Sequence, residues 1–250
     1  QRPDCAEYAM YILGNLQQPE HDDHARNFAL QCLGHAAKGL AADPGPAGEA
    51  LRGRAAMLLT QGTKPVAQET RHVKEAVARL VADVAERSFP QVWPQFLEGL
   101  LAAWQGSADG TSAELCMMVL RNLAEDCTDS NFNSRLSAGR RNDILRGITT
   151  NLEPLLALTY AYMGQQFQAF TQAGATADAQ NVPAILLRSA LGMVRRLVLW
   201  VRLDQLITPQ HDFVVVCLQV LPLQGGGGGG SDGSNGLRDE AAATLGALCG

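Results

Sequence analysis

The residues of this chain best suited to chemistry are few, and they do not assemble into a catalytic set. His21 and His24, in the run HDDH, resemble a crowded metal site. A zinc site needs further ligands at suitable spacing, so the run reads as a polar surface loop. Glu125 and Asp126 are adjacent carboxylates, but neighbouring helical residues point to different faces and cannot serve one atom as acid and base. The glycine-rich run at 224–236 has neither the lysine nor the preceding strand that a phosphate loop requires. No G-x-S-x-G, H-E-x-x-H or strand-borne G-x-G-x-x-G is present. An enzyme is not expected, nor a cofactor or metal. What remains is arginine. Arg135, Arg140, Arg141 and Arg146 form one group, and Arg188, Arg195, Arg196 and Arg202 a second. Their planar forks suit phosphate, and equally suit pairing within the protein or a solvated helix face.

The elements that would position these residues are helices. Hydrophobic residues make up 46% of the 250 but aromatics only 6%, a balance that favours many small helix–helix contacts over one aromatic centre. No long stretch alternates with a period of two. Ten helical segments can be laid down in pairs: 3–17 with 22–42, 46–61 with 66–87, 93–105 with 111–128, 137–170 with 178–203, and 208–221 with 236–248. Turn-forming runs such as ADPGP, GTKP, GSADGT and LITP separate them. Pair-to-pair spacing of about 40–65 residues is the loose period of HEAT-like arrays. The expected fold is therefore an all-α solenoid of about five HEAT-like hairpins. Segment 137–170 is unusually long. Pro154 should kink or divide it near Asn151, and a helix projecting past its neighbours is expected. The run at 224–236 reads as a flexible loop insertion within the last hairpin.

Composition excludes other classes. A formal net charge of −5 argues against a strongly basic nucleic-acid-binding body. The longest apolar run, 213–223, is shorter than the ~20 residues a bilayer span needs, so no membrane is expected, nor a secretory leader. Six cysteines lie scattered without C-x-x-C pairing and read as reduced core residues of an intracellular protein. The start at Gln1 and the finish inside an Ala/Leu pattern are expected to be the cut ends of a longer chain.

Two stretches carry the clearest patterning. In 66–87, Val73, Val77, Leu80, Val81 and Val84 draw one apolar stripe, while Arg71, Glu75, Arg79, Asp83 and Arg87 follow at four-residue steps with alternating sign. In RSFPQVWPQFL, residues 87–97, Pro90 should end one helix and Pro94 should sit in the first turn of the next. Phe89 and Trp93 bracket this corner, and each can bury on the order of 150–250 Å².

These stretches, together with DHARNFALQCLGHAA from Asp23, VLRNLAEDC from Val119, RRNDILRGITTNLEPLLAL from Arg140, LRSALGMVRRLVLWVRLDQL from Leu187 and LRDEAAATLGAL from Leu237, resemble the N-terminal region of exportins of the importin-β (karyopherin) superfamily. They are most similar to its RNA-carrying branch. The glycine run departs from the family pattern. The resemblance implies that 1–250 is an exportin N-terminal HEAT region. It also implies partnership with Ran-GTP, nucleoporins and hairpin RNA such as microRNA precursors, with transfer RNA, during shuttling between nucleus and cytoplasm. Early repeats of the superfamily contribute Ran contacts from second helices, which makes Arg71, Lys74, Glu75, Arg121, Asn122, Glu125 and Asp126 the Ran-binding candidates. Arg140 and Arg141 are the candidates for RNA phosphate. Alternatives are an exportin or importin with protein cargo, or a HEAT scaffold outside transport such as a phosphatase regulatory subunit. The long 137–170 helix would count against a regular scaffold.

Overall fold

The computed structural model describes residues 4–15, 22–128, 136–172, 181–222 and 235–249. Among them are twelve helices and no strand: α1 Asp4–Gly14, α2 Asp23–Leu40, α3 Pro46–Gln61, α4 Arg71–Ser88, α5 Phe96–Gln105, α6 Thr111–Thr128, α7 Ala138–Thr149, α8 Leu152–Gln172, α9 Val182–Leu197, α10 Leu203–Leu206, α11 Phe213–Val220 and α12 Asn235–Cys249. The residues through Ile148, nearly all of α1 to α7, gather into one compact unit, and α8 to α12 into another.

Local chemistry explains where these helices begin. The Asp22 carboxylate accepts the Ala25 amide at 2.9 Å and opens α2. Asp109 accepts both the amide and the hydroxyl of Thr111 at the start of α6, after Gly110 turns the chain at φ 82°. Pro46 sits in the first turn of α3. Asn181 caps α9, and Asp212 caps α11 through two amides. Adjacent orphan N–H groups are thereby satisfied.

Each unit is a stack of hairpins in two layers. In the first, α1 packs on α2 and α3 on α4; α3 then meets α1 and α5 in one layer, with α2 and α4 in the other. In the second, α8 packs on α9 and α11 on α12, while α8 meets α11 and α9 meets α12. This is the HEAT-like, all-α architecture expected from the spacing. Leu33, Leu58, Val77, Val81, Leu97, Leu100, Trp104 and Leu115 lie in the first core, and Leu156, Met163, Phe170, Leu187, Leu191, Val194 and Phe213 in the second. Among the described residues no helix is long and apolar enough to cross a membrane.

Several boundaries differ from expectation. The long 137–170 helix is two helices, α7 and α8, parted at Thr150 and Asn151. Pro154 falls in the first turn of α8, where its missing N–H has no intrahelical partner to lose. No single projecting helix exists there, and the contrast with a regular scaffold that rested on it disappears. The helix expected from Val66 starts at Arg71, because residues 66–69 form turns that present the Val66 carbonyl and the Glu69 carboxylate to other side chains. Pro94 and Trp93 precede α5 instead of opening it; a Phe96 amide to Trp93 carbonyl bond closes the turn. In place of one helix over 178–203, α9 ends at Leu197 and the short α10 follows. The start of that segment, Arg135, His21 and nearly all of the glycine run lie outside the described residues; Asn235 and Gly236 open α12.

Candidate functional site

The seven Ran-binding candidates fall on two helices, α4 and α6, and the structure separates them by what their side chains already hold. α4 is a second-layer helix with neighbours on more than one side, so its buried face includes Lys74 and Glu86 beside the valine stripe. Lys74 donates to Glu114 of α6 at 2.6 Å and to the Val66 carbonyl at 2.7 Å. Glu114 is itself only 5% exposed, so this pair is a dry link between neighbouring second-layer helices. A comparable link stands one step earlier in the stack. Arg26 of α2 is fully buried and grips the Glu69 carboxylate with both terminal nitrogens, one at 3.0 Å. Burial alone would raise the Glu69 pKa. The Arg26 bonds and the Lys64 and Thr70 amides outweigh it and hold the carboxyl below its ordinary range.

Arg79 is the third junction. It donates to Asp83 at 2.7 and 2.9 Å, to Glu86 at 2.7 Å, and to Asp126 of α6. One guanidinium thus serves three carboxylates. Burial raises the Glu86 pKa to about 8, with Asp126 and Asp83 pushing the same way against the pull of Arg79. Asp126 is therefore a bridging residue of the α4–α6 contact, and Asn122 is buried in the same helix. Arg71 and Glu75 form a 2.8 Å pair at the surface, with Arg71 the more exposed. Glu125 is exposed and Arg121 half-buried. The adjacent carboxylates Glu125 and Asp126 do point apart, as helical geometry requires.

Arg140, a candidate for RNA phosphate, is engaged within the protein. From α7 its Nε donates to the Glu86 carbonyl at 2.7 Å, and its terminal nitrogens reach the Ala85 and Phe89 carbonyls and the Gln91 side chain. It closes the C-terminus of α4, whose last carbonyls lack helical partners. Gln91 in turn donates to Asp143 at 2.9 Å. Phe89 is buried against Phe96, ring centroids 5.5 Å apart, and Trp93 lies tilted against Phe96 at 4.8 Å. Gly147 of α7 makes room for Phe89: a Cβ there would come within 2.6 Å of the ring. The FPQVWP corner is thus a packed joint between α4, α5 and α7. Arg141 is half-buried beside it.

In the second unit, Arg195 pairs with Glu240 at 3.0 Å, Arg202 pairs with its neighbour Asp204, and the guanidinium of Arg188 lies beside Gly236. Among the described residues, no group of three His, Cys, Asp or Glu side chains is placed to hold a metal. Cys116, Cys127 and Cys217 are buried thiols; burial pushes Cys127 and Cys217 up to about 12, and Cys116 is raised as well. Cys32 is half-buried and Cys249 exposed, so the expected core placement holds for three of the five cysteines whose side chains are described.

The profile of the family described as exportin 1-like protein matches residues 70–245, the greater part of the chain. The chain belongs to this family. Within the exportin 1-like family it is 31% identical to human Exportin-5 over 116 residues, which is 46% of this chain and 9% of that protein. It is 33% identical to mouse Exportin-5 over 99 residues, 40% of this chain and 8% of the relative. It is 36% identical to Protein HASTY 1 of Arabidopsis thaliana over 110 residues, covering 43% of this chain and 9% of that protein. The matches therefore span less than a tenth of each relative's length.

Sequence reasoning missed Arg26, Glu69 and Glu114, which hold the second-layer helices together. Arg26 and Glu69 are separated by 43 positions, and no local pattern signals such a pairing.

Proposed function

We propose that this chain is the early-repeat segment of a nuclear export receptor that binds Ran-GTP and carries structured RNA, microRNA-precursor hairpins foremost, through the nuclear pore and shuttles between nucleus and cytoplasm. The observation that carries the proposal is the exportin 1-like match over residues 70–245, supported by the Exportin-5 and HASTY 1 similarities. On this reading the chain performs no catalysis and works as a shaped surface. Ran approaches the second-layer helices, where Arg71, Glu75, Arg121 and Glu125 offer charge to a protein partner. Lys74, Asn122 and Asp126 act behind them by fixing the α4–α6 spacing. Arg140 and Arg141 contact RNA only as part of the α7 joint, since phosphate binding gains from many Lys and Arg contacts together. On the same reading, residues 1–250 belong to the N-terminal HEAT-repeat region of such a receptor.

The test is pull-down of Ran, loaded with GTP or GDP, by the full-length protein containing this segment, with and without a short hairpin RNA. Binding that requires GTP and strengthens with the hairpin is expected, because two ligands that favour one state couple reciprocally. GTP-dependent binding indifferent to RNA would replace the RNA cargo with a protein one. No binding to Ran in either nucleotide state would overturn the transport reading and leave a HEAT scaffold.

A further inference from the structure

We draw no further inference here: the strongest candidate, the exposed apolar surface that Leu199, Leu203 and Ile207 form around α10 and Val215 and Leu218 form on α11, carries nothing because nothing in the structure shows what covers it.

Discussion

The two units are built alike but joined by different chemistry. In the first, the second-layer joints carry buried ion pairs, Arg26 on Glu69 and Lys74 on Glu114, beside a part-exposed Arg79 shared among Asp83, Asp126 and the buried Glu86. In the second, the joint between α9 and α12 holds the Thr244 hydroxyl, which donates to the Leu191 or the Glu240 carbonyl, and the part-exposed Arg195–Glu240 pair. The other buried polar side chains described there are Thr159 and His211. A buried ion pair adds little net stability over a well-packed apolar pair, yet it penalises any packing that separates its partners. The first unit has bought register with desolvation, and the second relies on the shapes of leucine, methionine and phenylalanine.

The largest test of that contrast is to orphan a buried charge. Glu69→Leu leaves Arg26 in the core without its partner and should cost about 3–5 kcal/mol, read as lost hydrogen-exchange protection in α2 and α4. Arg26→Met combined with Glu69→Leu should recover most of the loss; a double variant as unstable as the single would show that the pair itself supplies the stability. Leu187→Ala in the second unit should cost about 2–5 kcal/mol by cavity formation, confined to protection of the second-unit helices. Loss spreading equally through α2 and α4 would break the division into two units. The acid limb separates the units next. Glu69 is held below its ordinary value of 4.5, so its contribution is present above that pH and disappears as pH falls through the lower folded-state value. Acid titration followed by exchange should therefore loosen α2 and α4 before α9 and α12, and Glu69→Gln should erase the difference. Thr244→Val is the smallest change, about 1 kcal/mol, since it removes one buried hydroxyl of nearly equal volume.

The helices were legible because their apolar stripes and turn residues are local signals. The valine stripe of α4 and the proline corner both stand near where the pattern placed them, and the Thr150–Asn151 break lies beside the expected Asn151 division. The candidate face was legible only in part. A helical stripe reveals one buried side, but α4 has neighbours on several, so Lys74 and Glu86 look like solvated residues in sequence and prove to be buried. The place of Arg140 in the joint was illegible for a related reason: most of its acceptors are backbone carbonyls, which carry no residue identity to read. The pairing of Arg26 with Glu69 depends on which hairpin stacks on which, and that is set by the whole core.

The clamp that Arg140 places on the end of α4 also fixes an order of events during synthesis. The Glu86 carbonyl lies 54 positions before the guanidinium that satisfies it. At roughly 5–20 residues per second, a ribosome needs about 3–11 s to make the intervening chain. For that interval the nascent α4 has an open C-terminal end, its buried carboxylates lack their full surroundings, and Phe89 has no α7 to close over it. This corner is where a holding chaperone would find its opportunity, and the arrival of Arg140 is what would end it.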